Sequence, residues 1–146
     1  MRIYAIGDIH GRADLLKPLL LQIEVDCKLY PSRRSIVVFV GDYIDRGPAS
    51  RDVLDLLLGC EQTKEAVFLR GNHDTFVMSE PAVLDEWRLW GGLETLVSYG
   101  LKPSISPDAL EQTQLARHLA RSRRSKGQKH CEARNGLSDA CRSRFL

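Results

Sequence analysis

Three short polar segments carry aspartate, histidine and asparagine beside glycine. They are GDIHG at positions 7–11, GDYIDRG at positions 41–47 and GNHD at positions 71–74. Carboxylate, imidazole and amide oxygen together suit divalent ions such as Mn²⁺, Fe²⁺ or Zn²⁺. Two such ions about 3.5–4 Å apart can bind a phosphate group and activate a water molecule. These residue types therefore predict metal-dependent chemistry on phosphate esters.

Charge supports this interpretation. Asp8 and Asp42 could not both stay ionised side by side in a sheltered cleft without a cation. Arg46 offers a planar fork of donors that suits phosphate oxygens. Any one of the three segments could be an ordinary turn, since aspartate, asparagine and glycine are common in turns. Three such segments with the same strand context favour a functional site.

The elements that must position these segments follow from the apolar pattern. Strands are predicted at Arg2–Ile6, Ile36–Val40 and Ala66–Leu69, each directly before one of the polar segments. Helices are predicted between them at Arg12–Leu29 and Arg51–Leu58. This order predicts an α/β fold with parallel strands. Since the carboxyl ends of parallel strands meet at one edge of a sheet, the three polar segments should converge.

The remaining sequence changes character twice. Residues 75–99 look helical, with breaks at Pro81 and at the Gly91–Gly92 pair, and residues 108–120 form another predicted helix. Residues 121–146 hold eight Lys/Arg against two acidic residues, whereas residues 1–120 hold 13 against 17. We therefore predict a domain over residues 1–120 and a basic, disordered tail over residues 121–146.

Composition narrows the classes of partner. The net charge of +2 is too small to indicate nucleic acid or a membrane surface, although the basic tail alone could be an arm for anionic partners. We find no signal peptide and no apolar run of membrane-spanning length. The cysteines Cys27, Cys60, Cys131 and Cys141 form no C-x-x-C pair, which favours free thiols. We expect a cytoplasmic protein with no membrane or nucleic-acid partner.

In this order, the three polar segments resemble the signature motifs of the calcineurin-like metallophosphoesterases. The resemblance is closest to the bacterial and phage members of the phosphoprotein phosphatase branch and to the related symmetrical dinucleoside-tetraphosphate hydrolases. Residues 90–96 (WGGLETL) with residues 98–100 (SYG) also resemble the stretch after the third motif in bacterial members. The resemblance implies a partial metallophosphoesterase fold, the βαβαβ half of a two-sheet α/β sandwich followed by helices.

The resemblance also implies roles for individual residues. Asp8 and His10 match ligands of a first metal ion, Asp42 a bridging carboxylate, and Asn72 a ligand of a second ion. The catalytic residues implied are His73, which protonates the leaving group, Asp45, which orients His73, and Arg46, which binds phosphate. The implied cofactors are two divalent ions, Mn²⁺ first, with Fe²⁺ or Zn²⁺ as alternatives. The implied mechanism is in-line attack by metal-activated hydroxide without a covalent enzyme intermediate.

Part of the family pattern is missing. Two further metal histidines and another arginine are expected after the third motif, together with a second sheet. Only His118 and His130 follow His73, and we interpret them as a solvated helix position and a tail residue. The loss of periodicity near Arg121 suggests a reading-frame change followed by an early stop, so we expect a truncated chain.

Three functions remain open from the sequence. The first is a serine/threonine protein phosphatase that hydrolyses phosphomonoesters in phosphorylated proteins or small molecules. The second is a dinucleoside polyphosphate hydrolase acting on compounds such as diadenosine tetraphosphate. The third is an inactive fragment that serves as a phosphate-binding or interaction module. Because part of the ligand set is missing, we expect weak or no activity.

Overall fold

The computed structural model describes residues 1–76 and 83–122, with the side chains of residues 121 and 122 left out. Its first half alternates strands and helices. These are β1 (Arg2–Ile6), α1 (Ala13–Leu29), β2 (Ser35–Phe39), α2 (Ser50–Thr63) and β3 (Ala66–Phe68). The strand–helix order predicted from the sequence is confirmed, with α2 extending five residues beyond its predicted end.

The three strands form one parallel sheet in the order β1-β2-β3. Ile6 pairs with Phe39, and Phe39 pairs with Phe68 on its other side. Phe39 is completely buried, and its ring stacks on that of Phe68 with the centroids 5.0 Å apart. The register brings the ends of the strands into line, so the three polar segments leave the sheet at the same edge.

Helix α1 packs through residues at helical spacing. Leu16, Leu20 and Ile23 are buried, and intervening positions are exposed. Pro18 lies inside this helix, beyond the first turn to which the sequence interpretation would confine it. Its side of the helix faces solvent, where water can satisfy a carbonyl left without an N–H partner.

The second half consists of short helices. They are α3 (Asn72–Phe76), α4 (Val83–Trp87), α5 (Leu93–Ser98), α6 (Pro107–Glu111) and α7 (Gln114–Ser122), with a π-helical segment at Arg88–Gly92 between α4 and α5. The predicted single helix over residues 108–120 is wrong, because the backbone turns at Gln112 and Thr113. The predicted break at Gly91 is confirmed, since Gly91 has φ +105° and cannot continue a regular helix.

One hydrophobic core joins the two halves. Val53 and Leu54 of α2 are buried together with Leu96 of α5 and Leu115 and Leu119 of α7. His118 belongs to this packed region, with only 8% of its surface exposed, so its interpretation as a solvated position is wrong. Its Nδ1 lies 2.9 Å from Tyr99 Oη, and this hydrogen bond explains how an imidazole is accommodated there.

Two further expectations concern membrane-spanning helices and the basic tail. In the described part of the chain, no helix is both long and apolar enough to span a bilayer. The basic tail, including His130, lies outside the described residues except for positions 121 and 122, which end α7. The boundary between a domain and a tail therefore stays a prediction.

Candidate metal centre

Backbone hydrogen bonds join the first two strand-end loops. The N–H of His10 donates to the carbonyl of Asp42, and the N–H of Gly11 donates to the carbonyl of Tyr43, both at 2.9 Å. A Cβ atom on Gly11 would lie 2.6 Å from the carbonyl oxygen of Gly47, so this approach requires glycine. Residues more than 30 positions apart are thus fixed at one edge of the sheet.

Both loops hold non-glycine residues in left-handed backbone conformations. The φ angles are 50° at Asp8, 41° at His10, 54° at Asp42, 72° at Asp45 and 66° at Arg46. Such conformations cost on the order of 1 kcal/mol each and concentrate at functional sites. All five residues belong to the site predicted from the sequence.

Asp8, His10 and Asp42 form a group in which one ligand atom from each residue lies within 4.8 Å of the others. The Nδ1 atom of His10 lies 3.0 Å from the carbonyl oxygen of Ile44, to which it can donate its proton. That bond leaves the Nε2 lone pair available, as metal-binding histidines require. Two carboxylates and one imidazole fit a divalent cation such as Mn²⁺, Fe²⁺ or Zn²⁺.

Asn72 is placed less decisively. It begins α3 and is exposed, one residue before His73, whose backbone N–H donates to Asp42 Oδ1 at 3.1 Å. The backbone of the third segment therefore contacts the group. Among residues 1–76 and 83–122, no second cluster of three His, Cys, Asp or Glu ligands occurs. A second cation would depend on Asn72 and Asp42, so its site is only partly formed by the described residues.

Asp74 ties the second and third loops together. Its carboxylate accepts hydrogen bonds from the backbone N–H groups of Asp42 at 2.7 Å, Tyr43 at 2.9 Å and Gly71 at 3.0 Å. Burial raises the pKa of Asp74 to about 6, although these three donors oppose the shift. The sequence analysis assigned no role to this residue. It is nevertheless the last residue of the third polar segment, and that position is the signal that could have marked it.

His73 and Asp45 form a buried pair. His73 Nδ1 lies 2.8 Å from Asp45 Oδ2, and Asp45 is completely buried. Burial raises the pKa of the Asp45 carboxyl, while hydrogen bonds from His73, Thr95 and Trp87 lower it. The geometry agrees with the orienting role that the family resemblance implies for Asp45, and that role stays a prediction.

The helical half supplies the rest of the environment of Asp45. Trp87 Nε1 donates to Asp45 Oδ2 at 2.8 Å, and Thr95 Oγ1 donates to Asp45 Oδ1 at 2.8 Å. The backbone N–H of Asp45 donates in turn to Thr95 Oγ1 at 2.9 Å and to Ser50 Oγ at 3.2 Å. Sequence reasoning missed Trp87, Thr95 and Ser50, although Thr95 lies in the stretch that resembles bacterial family members.

Arg46 bridges the two histidines. Its Nη1 lies 3.2 Å from His10 Nε2 and its Nη2 lies 3.0 Å from His73 Nε2. Since a guanidinium only donates, the two Nε2 atoms are the acceptors in these contacts. Arg46 must therefore leave His10 Nε2 before that nitrogen can bind a cation.

The strand-end loops of this parallel sheet bring together two carboxylates, an imidazole, a His–Asp pair and an arginine. Such a set of side chains is typical of metal-dependent phosphoesterases. The comparisons with known proteins agree with this class. The chain belongs to the calcineurin-like phosphoesterase family, whose model matches residues 1–130. The resemblance identified from the three motifs is confirmed, and so is the α/β fold class.

Several curated relatives have dinucleoside tetraphosphatase names. The chain is 33% identical over 105 residues to the asymmetrical bis(5'-nucleosyl)-tetraphosphatase PrpE of Anoxybacillus flavithermus, which covers 69% of the chain and 39% of that protein. It is 32% identical to the symmetrical bis(5'-nucleosyl)-tetraphosphatase of Nitrosococcus oceani, over 82% of the chain and 38% of the relative. It is 38% identical to serine/threonine-protein phosphatase 2 of Escherichia coli, over 52% and 31%.

A solved structure agrees on the fold. A mutant of a cold-active protein tyrosine phosphatase superposes with a TM-score of 0.56 at 21% identity, covering 86% of this chain and 38% of the other. The chain thus spans well under half the length of the proteins it matches. At this identity the similarity shows the fold alone.

Proposed function

We propose that this chain forms the amino-terminal part of a two-cation site that hydrolyses phosphoesters. The proposal rests on the group of Asp8, His10 and Asp42, whose ligand atoms lie within 4.8 Å of one another. In the proposed site these residues bind a first divalent cation, Mn²⁺ in the simplest case. Asp42 and Asn72 contribute to a second. Bound cations would neutralise phosphate charge and lower the pKa of water.

Arg46 is proposed to bind the substrate phosphate. Its two terminal nitrogens already lie at the candidate site, because they contact the Nε2 atoms of His10 and His73. A phosphate offers oxygens that accept both N–H groups more strongly than neutral imidazoles do. When phosphate enters, Arg46 therefore turns to it and releases both imidazole nitrogens for their own tasks.

His73 is proposed as the general acid. Once Arg46 leaves, Nε2 takes up a proton, and Asp45 stabilises the resulting imidazolium through Nδ1–H at 2.8 Å. Water attacks the phosphorus in line with the leaving oxygen and releases one of its protons to solvent. The bond from phosphorus to that oxygen breaks, and His73 Nε2 transfers its proton to the oxygen. No side chain forms a bond to phosphorus.

Two substrates remain candidates. The names of the tetraphosphatase relatives favour a nucleotide phosphoester such as diadenosine tetraphosphate. The relative from Escherichia coli favours the protein phosphatase function, in which phosphoserine or phosphothreonine is the substrate.

We propose a reducing, cytoplasmic location, to which the free thiols Cys27 and Cys60 are suited.

The experiment measures Mn²⁺-dependent turnover of p-nitrophenyl phosphate by the full 146-residue chain. Asp42→Ala should remove turnover, whereas Asp52→Ala, an exposed carboxylate of α2, should leave it unchanged. Assays with diadenosine tetraphosphate and a phosphoserine peptide then separate the two candidate substrates. Equal rates for the native chain and Asp42→Ala contradict hydrolysis at this site and favour the third function, a phosphate-binding or interaction module.

A further inference from the structure

An open pocket of about 600 Å³ lies directly beside the candidate metal centre. It is lined by Arg46, Leu89, Trp90, Gly91 and Glu94. The lining therefore combines the arginine proposed to bind phosphate, apolar residues and an acidic residue. The proposed phosphate chemistry uses only Arg46, so the other lining residues are without an assigned role.

A kink within Arg88–Gly92 places Trp90 next to Arg46. Trp90 (φ −94°, ψ 16°) and Gly91 (φ 105°, ψ 9°) leave helical geometry, and the backbone N–H of Arg46 donates to the Gly91 carbonyl at 3.1 Å. A Cβ atom on Gly91 would lie 2.6 Å from the backbone nitrogen of Arg46. The kink thus couples an aromatic ring to an arginine far away in sequence.

The ring of Trp90 is anchored on one side and open on another. It meets Phe76 edge to face, with the centroids 5.1 Å apart, and 45% of its surface is exposed. Leu89 beside it is 84% exposed. Exposed aromatic and apolar surface concentrated next to a phosphate-binding group is typical of a ligand site rather than of core packing.

Glu94 limits what can occupy the pocket. Its side chain is exposed and takes part in no ion pair among residues 1–76 and 83–122. A carboxylate only accepts hydrogen bonds, so it favours an occupant with N–H donors. A flat apolar ring that bears an amino group and is connected to a phosphate matches the apolar residues, the carboxylate and the arginine of the lining. A nucleobase has these properties, whereas the side chain of phosphoserine has no flat ring.

We infer that Trp90 is the stacking platform for the nucleobase of a nucleotide phosphoester whose phosphate binds at Arg46, with Glu94 accepting from the exocyclic amino group of the base. This inference rests on the proposed function, because it places the phosphate at the candidate metal centre. The proposed function does not say which group distinguishes one phosphoester substrate from another. The inference assigns that role to the nucleobase.

The test compares AMP with ribose 5-phosphate, which lacks the base, by calorimetric titration of the full chain in Mn²⁺ buffer. Stacking of one base on an aromatic side chain makes AMP bind on the order of tenfold more tightly than ribose 5-phosphate. Trp90→Leu, which keeps apolar volume without an aromatic face, should abolish this difference and leave ribose 5-phosphate binding unchanged. Trp90→Phe should retain most of it.

Two further variants separate the contributions. Glu94→Gln should weaken AMP binding and leave ribose 5-phosphate unaffected. Val97→Ala, which shortens an exposed apolar side chain outside the pocket, should change neither affinity. Circular dichroism of each variant checks that the fold is intact, and Trp90→Phe tests the inference even where Trp90→Leu reduces stability.

The outcomes distinguish this inference from the proposed function. Equal binding of AMP and ribose 5-phosphate, with both weakened by Arg46→Ala, overturns the stacking platform and leaves the phosphate site standing. A Trp90-dependent gain for a phosphotyrosine peptide but not for AMP overturns the nucleobase in favour of an aromatic side chain. Failure of both compounds and of inorganic phosphate to bind overturns the inference and the proposed function together.

Discussion

The strand-end loops and the helical segment over residues 83–122 contribute to the same site in different ways. The loops hold every metal-ligand candidate, and five of their residues have left-handed backbone conformations. The helical segment holds none of those ligands. It supplies Trp87 and Thr95 to the carboxylate of Asp45, and Gly91 to the backbone of Arg46.

This difference separates reactive groups from the groups that hold them. Polar loops with unfavourable torsions would relax if they were free, so buried hydrogen bonds must fix them. In this chain those bonds come from Asp74 within the loops and from Thr95 and Trp87 of the helical segment. Removing these hydrogen bonds from each region separately therefore tests which region holds the reactive groups in place.

The largest effect is expected from Asp74→Ala, which tests support within the loops. Three backbone N–H groups lose their acceptor, and each unsatisfied buried donor costs about 1–3 kcal/mol. We expect the free energy of unfolding to fall by about 4 kcal/mol at neutral pH, measured by urea denaturation. Asp85→Ala, at a side chain 89% exposed, should change it by less than about 0.5 kcal/mol. Equal losses in the two variants would contradict the interpretation.

Asp42→Asn tests whether the loops alone carry the cation ligands. The amide keeps the shape of the side chain and can still accept from the His73 N–H, but it removes the charge. We expect Mn²⁺ affinity to fall more than about 100-fold. This loss exceeds the one that follows from changing a residue that only hydrogen-bonds to a metal ligand. The free Mn²⁺ signal in electron paramagnetic resonance measures this affinity. Asp52→Asn is the matched control, and a similar loss there would show that binding is not specific to the loops.

Thr95→Val tests the support that the helical segment gives. It removes a donor to Asp45 Oδ1 and an acceptor for the Asp45 N–H inside the core. We expect the free energy of unfolding to fall by about 2 kcal/mol in urea denaturation. Thr63→Val is the control, because that hydroxyl bonds the Gly59 carbonyl at an exposed position. If Thr95→Val behaves like Thr63→Val, the loops hold Asp45 without the helices.

Tyr99→Phe should have the smallest effect, because it disturbs the helical segment away from Asp45. It removes the hydrogen bond to His118 Nδ1 at 2.9 Å. A loss of about 1 kcal/mol is expected in the same denaturation measurement. The NMR resonances of His73 should stay in place. Tyr30→Phe, at an exposed ring, serves as control, and a shift of His73 would show that the two regions are coupled more widely.

Most of the loop region could be predicted from the sequence, because local rules determine it. Apolar β-branched runs that end at Gly7, Gly41 and Gly71 predicted the strands and their common edge. The hydrogen bonds that hold Asp45 in place could not be predicted in the same way. Asp45 and Trp87 are 42 residues apart, and a single hydrogen bond between them leaves no periodic pattern.

The helical segment also shows where local patterns fail. The spacing over residues 108–120 suits one amphipathic helix, yet the backbone turns at Gln112 and Thr113, and the Thr113 hydroxyl bonds back to the Leu110 carbonyl. His118 looked solvated because residues 114–120 have the pattern of an amphipathic helix, in which it was assigned to the solvent face. Tertiary contacts with Tyr99 bury it, and such contacts override local composition.

The left-handed torsions of the loops have a consequence for engineering. Glycine adopts these angles without the steric penalty of on the order of 1 kcal/mol that other residues incur. A library of this chain screened only for survival of heating would accumulate glycine at the exposed positions 8 and 46, where no buried hydrogen bond opposes it, and would discard side chains proposed to bind cation and phosphate. Heat resistance compatible with activity has to come from other positions, such as the exposed turns of α1.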